Sequence, residues 1–213
     1  NVVALQLMTR PYHSIFCAET AHIYVDECGS PVKMTGCQIR PIATPDGKLT
    51  PELMQPYLHG FGDQHHSQPR ALYISQCTEL GTIYTPEELK RLTDFAHLNG
   101  MYVHMDGARI ANACAALNLS VKELTGECGV DMLSFGGTKN GLMMGECVIV
   151  FNKDLQPEAR FIRKQSAQLA SKMRYLSCQF TAYLTGDLWL KNASHANAMA
   201  AKLRAELEKL PEV

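Results

Sequence analysis

The chain has 213 residues, 46% hydrophobic and 19% charged, with a formal net charge of −1. That balance excludes a disordered chain and fits a globular α/β protein with room for one large domain, or one and part of a second. There is no basic block or aromatic-interleaved basic stripe of the kind that binds nucleic acid, and no apolar run approaches the ~20 residues needed to cross a bilayer.

The eight cysteines are Cys17, Cys28, Cys37, Cys77, Cys114, Cys128, Cys147 and Cys178. None lie two or three apart, so no zinc knuckle is expected, and a core of this size does not call for a disulfide framework. No charged-then-apolar leader opens the chain. Reduced thiols in a cytoplasmic protein without a metal site are the expectation. The chain starts at Asn1 within an apolar helical pattern and stops at Val213 straight after another. It therefore reads as a piece of a longer polypeptide.

Val2 to Met8 reads as the side of a buried helix, and Ser14 to Ala18 as a short strand ending in the polar turn Glu19-Thr20-Ala21-His22. A second strand, Gln38 to Ala43, stops at Thr44-Pro45-Asp46-Gly47. Thr50-Pro51 opens a helix, with threonine as cap and proline at the first helical position. His59 to Arg70 is polar and reads as a surface loop, Ala71 to Ser75 as a strand, and Gln76 to Thr82 as a polar loop. Thr85-Pro86-Glu87-Glu88 starts a helix that Asn99-Gly100 stops. Met101 to Met105 is a strand ending at Asp106-Gly107, and Ala108 to Leu117 is helical. Strands follow at Val130 to Phe135 and Glu146 to Phe151, then helices over about 155–172, 175–186 and 187–210. Strands alternating with helices predict a mainly parallel sheet covered on both faces, with ligands beyond the C-terminal strand ends. Those ends deliver Glu19 and His22, Ser75 to Glu79, Asp106 and Arg109, and Ser134, Thr138 and Lys139 to one rim.

Lys139 sits in Ser134-Phe135-Gly136-Gly137-Thr138-Lys139-Asn140-Gly141. A phosphate-cradling P-loop needs Gly-Lys-Ser/Thr, and the order here is Gly-Thr-Lys. A lysine among glycines at a strand end suits a Schiff base with the aldehyde of pyridoxal phosphate. Such a cofactor also needs a carboxylate at its ring nitrogen, a flat group over the ring and donors for carboxylates. Asp106, His22 and Arg109 are the candidates. Each has a plainer alternative. Asp106 can be a turn residue, Arg109 a surface cation, His22 a helix-start histidine, and the glycines a tight turn between two antiparallel strands. His104-x-Asp106 faces one way as a metal pair would, but no third ligand is evident.

His104-Met105-Asp106-Gly107-Ala108-Arg109, followed by Ser134 to Lys139, resembles the threonine aldolase and β-eliminating lyase family of fold-type I pyridoxal phosphate enzymes. Glu19-Thr20-Ala21-His22-Ile23 is similar to that family's ring-stacking segment, and the resemblance covers nearly the whole chain. It implies an aspartate-aminotransferase-like large domain over 1–186 and, over 187–213, a helix leading to a small domain. It implies Lys139 as the Schiff-base lysine, Asp106 at the pyridine nitrogen, His22 as ring-stacking group and candidate base, and Arg109 on the substrate carboxylate. Ser134 and Thr138 count with the cofactor-binding residues. Asn1 resembles the end of the family's phosphate-binding turn. Arg174 in Lys172-Met173-Arg174 resembles an arginine that reaches a neighbouring subunit's phosphate, which implies a homodimer or homotetramer.

Where many threonine aldolases carry Glu-Asn-Thr-His, this chain has Gln76-Cys77-Thr78-Glu79. Glu79 thus stands where a histidine would meet the substrate's β-hydroxyl, and the lysine turn also departs from the commoner Leu-Ser-Lys-Gly. The expected activity is cleavage of a β-hydroxy-α-amino acid (threonine, allo-threonine or phenylserine) to glycine and an aldehyde. The alternatives are β-elimination releasing ammonia and a keto acid, or a non-catalytic truncated subunit. A nucleotide-binding protein ranks below these, because no Gly-x-Gly-x-x-Gly follows a strand.

Overall fold

The computed structural model describes residues 1–210. In chain order the elements are α1 (Val2–Met8), β1 (His13–Ala18), α2 (His22–Val25), α3 (Ser30–Thr35), β2 (Gln38–Ile42), α4 (Pro51–Met54) and β3 (Gln68–Ser75). Then come α5 (Pro86–Leu98), β4 (Tyr102–Gly107), α6 (Ile110–Leu117), β5 (Met132–Gly136), β6 (Glu146–Val150), α7 (Gln156–Gln165), α8 (Arg174–Leu184) and α9 (Leu188–Leu207). One six-stranded sheet runs β2-β1-β3-β4-β5-β6. Every neighbouring pair is parallel except β5 and β6, which are antiparallel.

The period of two along a strand divides the core between the two faces of the sheet. On β4, Val103 and Met105 join the larger core cluster with Ile74, Leu89 and Ile110. Tyr102 packs with Met132, Ala4 and Leu7, in a cluster that α1 and α7 cover. Both faces carry apolar core, which is why β3 reads as a continuous hydrophobic run from Ala71 to Ile74. The predicted α/β sandwich is the architecture found. Among the described residues, no helix is long and apolar enough to cross a membrane.

Capping followed the sequence closely at α5. The Thr85 hydroxyl accepts from the Glu88 amide while the Glu88 carboxylate accepts from the Thr85 amide, a reciprocal capping box. Two expectations need correction. The loop expected over His59 to Arg70 gives up its last three residues to β3, because Gln68 pairs with His13 and donates to the carbonyls of Gly60, Asp63 and His66. One polar side chain thus closes the loop and starts the strand. The helix expected over 155–172 ends as α7 at Gln165. The amides of Ala167 and Gln168 turn back onto the carbonyls of Lys164 and Arg163, and Ala167 takes φ +59°. That is a Schellman stop with alanine where glycine is usual, so composition did not signal it.

Candidate active site

Parallel strands β1, β3 and β4 end on the same edge as β5, and the turns that leave them meet there. Their side chains line one narrow cleft: His22 from the start of α2, Ser75 at the end of β3 and Glu79 beyond it, Asp106 from β4, Arg109 ahead of α6, and Lys139 beyond β5. Five of the predicted site residues, His22, Glu79, Asp106, Arg109 and Lys139, are therefore together.

Asp106 is the buried charge of the site. Its Oδ2 accepts from the Tyr73 hydroxyl at 2.5 Å and from the Asn1 amide at 2.8 Å, and its Oδ1 accepts from the Ala108 N–H at 2.9 Å. Burial pushes the carboxyl up, but these three donors outweigh it and hold Asp106 below the usual carboxylate range. The group is an anion at neutral pH. Tyr73 is fully buried. Burial and the Asp106 charge drive its phenol well above the ordinary value, so it stays a donor. A carboxylate has about four acceptor positions. Three are filled, and the fourth lies on Oδ1. His104, beneath, gives or takes a hydrogen with Ser134 Oγ at 3.0 Å, and burial lowers its imidazole to about 3. It is a neutral packing partner for the Tyr73 ring, 5.3 Å away.

Glu79 arrives on a closed loop. Gln76 is fully buried and exchanges two hydrogen bonds with the Tyr84 backbone, at 2.9 and 3.0 Å, while the Thr78 amide donates to the Thr82 carbonyl. So held, Glu79 Oε1 accepts from the Ser75 hydroxyl at 3.0 Å and the His22 N–H at 3.1 Å. These leave Oε2 without a hydrogen-bond partner among the described residues. The His22 ring meets Glu27 Oε1 through Nδ1 at 3.0 Å.

The lysine turn is pinned from two sides. Gly136 runs so close to the turn after neighbouring β4 that an added Cβ would lie 2.5 Å from Ala108 Cα, a contact only glycine permits. Beyond it, Asn140 donates to the Tyr183 hydroxyl and the Trp189 carbonyl, and its own carbonyl accepts from Asn192. Lys139 itself is exposed. Arg109 is exposed too and takes part in no ion pair among the described residues.

Other expected residues lie apart from the cleft lining. Ser134 turns to His104. Thr138 exchanges hydrogen bonds with Gly145 across the β5–β6 turn, which is the antiparallel turn weighed as the plainer alternative for this segment. Asn1 comes from the N-terminus of α1 to Asp106 and Glu27, with Oδ1 unpartnered among the described residues. Arg174 is exposed at the start of α8. Tyr73 and Glu27 were not foreseen. Tyr73 was findable, since it precedes Ser75 by two on a strand bound for the same rim. A wider groove lies elsewhere along α5, but its Lys90 and Arg91 are paired with Asp94 and Glu52, and it holds none of the cleft residues.

A mostly parallel sheet with this strand order and a polar cleft at its C-terminal edge defines an aminotransferase-type α/β domain. A mutant aspartate aminotransferase of Thermus thermophilus superposes with a TM-score of 0.69 at 14% identity, over 97% of this chain and 55% of that one, a likeness of fold. Residues 1–213 match the family described as Beta-eliminating lyase, and the chain belongs to that family. The low specificity L-threonine aldolase of Pseudomonas aeruginosa is 44% identical over 208 residues, 97% of this chain and 60% of that protein. The threonine aldolase structure from Leishmania major matches with a TM-score of 0.92 at 34% identity, over 98% of this chain and 61% of that one. The chain thus spans about three fifths of the length of these relatives.

Proposed function

We propose that this chain is the cofactor-binding part of a pyridoxal-phosphate-dependent aldolase that cleaves a β-hydroxy-α-amino acid (threonine, allo-threonine or phenylserine) to glycine and an aldehyde. The observation that carries the reading is the open acceptor position on Asp106 Oδ1, in a buried carboxylate otherwise saturated by Tyr73, Asn1 and Ala108. A pyridinium N–H is the donor that fits it. The cradle also has the lysine such a cofactor needs, on the same rim. When bound, the cofactor supplies an electron sink for the pair released as the Cα–Cβ bond breaks.

The chain's own residues do the rest. Lys139 is the attachment point. Asp106 stays ionised and so keeps the ring-nitrogen proton in place. His22 covers the ring. Arg109, in no ion pair among the described residues, takes the substrate carboxylate in its planar fork, and this fixes the direction of the bond to be broken. Glu79 Oε2 accepts the β-hydroxyl proton as the aldehyde carbonyl forms. Its oxygen is aimed by Ser75 and the His22 amide, so little reorganisation is needed at the moment of reaction.

On this reading residues 1–186 form the large domain, and 187–213, of which 211–213 lie outside the described residues, lead to a smaller one. We further infer a cytoplasmic homodimer or homotetramer. The free cysteines support the compartment, and the exposure of Met143, Phe161 and Tyr175 beside that of Arg174 supports the assembly.

The test is product analysis on the full-length protein loaded with pyridoxal phosphate. Glycine and an aldehyde from threonine or phenylserine are expected, with turnover lost in Lys139→Ala. Ammonia and a keto acid would move the protein to β-elimination, and cofactor-dependent turnover surviving in Lys139→Ala would overturn the reading.

A further inference from the structure

His22 is held by two carboxylates from two directions. Its backbone N–H donates to Glu79 Oε1 at 3.1 Å and its ring Nδ1 meets Glu27 Oε1 at 3.0 Å. The local chain is shaped for the second contact. α2 is a single turn that ends at Val25, and Asp26 closes it with its N–H on the His22 carbonyl. Cys28 and Gly29 then take φ +50° and +72°, turning the chain away and leaving Glu27 at the Nδ1 edge of the ring, five residues after His22. A carboxylate oxygen accepts hydrogen bonds, so Nδ1 is the ring nitrogen that carries a hydrogen towards Glu27.

The same Glu27 oxygen also accepts from Asn1 Nδ2 at 3.0 Å, and that amide nitrogen donates to Asp106 Oδ2 at 2.8 Å. A continuous polar path therefore runs His22–Glu27–Asn1–Asp106–Tyr73, with the Glu27 side chain 14% exposed and Asp106 and Tyr73 buried. It joins His22, which covers the cofactor ring, to Asp106, which meets its nitrogen. We propose that Glu27 is a positioning residue: it sets the tautomer and plane of His22 and, through Asn1, ties that plane to the Asp106 carboxylate, so that the ring seat has one geometry. This rests on the cofactor reading above. Glu27 touches neither ring nor substrate. Partners of this kind orient a working imidazole in hydrolase triads and behind metal-bound histidines.

The experiment uses the full-length protein loaded with pyridoxal phosphate, as wild type, Glu27→Ala and Glu27→Gln. Three quantities are read: kcat and KM for threonine cleavage, the visible circular dichroism of the bound cofactor, and Tm. Glu27→Ala removes the acceptor for both Nδ1–H and Asn1. It should lower kcat about 10–100-fold with KM nearly unchanged and weaken the visible dichroic band. Glu27→Gln keeps an acceptor oxygen at the same place and should restore most of both. Wild-type kcat and dichroism in Glu27→Ala would overturn the proposal, and so would equal losses in the two variants, which would assign the effect to charge. A wild-type protein that shows the cofactor band but cleaves nothing would sink the aldolase reading alone, and the dichroism of the variants would still decide the role of Glu27. A wild type with no cofactor band overturns both.

Discussion

Tyr73 and Asp106 are joined across two adjacent parallel strands by a 2.5 Å hydrogen bond, the phenol donating to Oδ2. Register places Ser75 opposite Asp106 and Tyr73 opposite His104, so the phenol reaches diagonally along the sheet. Tyr73→Phe keeps the ring and deletes one of three donors to a buried anion. A hydrogen bond to a charged group is worth about 1.5–3 kcal/mol. The Asp106 carboxyl should rise towards its ordinary value, and pyridoxal phosphate should dissociate at least about 10-fold more readily. Titration of cofactor absorbance in the two proteins measures it, and equal affinities would exclude the role.

Glu79→Gln separates charge from architecture. The amide oxygen still accepts from Ser75 and from the His22 N–H, so thermal stability and cofactor binding should hold. Only proton acceptance is lost. A fall in kcat of about 10²–10⁴-fold is expected for a general base, and steady-state kinetics with phenylserine and threonine check it. Unchanged kcat would take the proton away from Glu79.

Gly136→Ala forces a methyl into the Ala108 backbone, 2.5 Å from Cα and 2.8 Å from the carbonyl oxygen. Neither neighbour is a flexible side-chain end. Overpacking of this kind costs about 1–3 kcal/mol, and relief would push the Lys139 turn away from the Asp106 turn. A lower denaturation midpoint together with a weaker cofactor band is expected. A stable variant with normal absorbance would show that the two turns move independently.

His97 and Asp131 provide a pH-dependent tie between α5 and the start of β5, with His97 Nε2 2.9 Å from Oδ2. The hydrogen bond to Asp131 raises the imidazole above its ordinary value of 6.5, against partial burial. The folded state thus binds the proton more tightly than the unfolded chain. The stabilisation is fully present below the unfolded value and is lost as pH rises through the raised folded one. Asp131 is buried but His97 is 40% exposed, so solvent screening holds the pair to about 1 kcal/mol or less, at most roughly 2–4 °C in Tm. Thermal melts from about pH 6 to about pH 9 should show that decline in the wild type and not in His97→Gln. Parallel curves would refute it.

The strand ends and the residues they carry were legible because a parallel sheet sends every C-terminal strand end to one edge. Their places after apolar runs put His22, Glu79, Asp106, Arg109 and Lys139 on that rim, and the family resemblance singled them out among its polar residues. The capping box of α5 was legible for a similar reason, since its two partners are three residues apart. Glu27 was not, and Asn1 was read only as the end of a phosphate-binding turn, because the contacts of Asn1 with Glu27 and Asp106 span 26 and 105 residues and no local pattern encodes such distances.

The end of α7 at Ala167 and the early start of β3 escaped for a related reason. Alanine in a left-handed position and a glutamine that closes a loop are ordinary residues until their partners are placed. What the sequence by itself determined is therefore the alternation of buried strands and capped helices, and the list of reactive side chains at the rim, since both follow from local periodicity and turn chemistry. Only the tertiary structure decided how those side chains are held: that Asp106 has three donors and one open acceptor, that Glu79 has one bound and one free oxygen, and that His22 is tied to Asp106 through Glu27 and Asn1. Hydrogen-bond saturation depends on distance and direction in space, and these exist only once the strands are laid side by side.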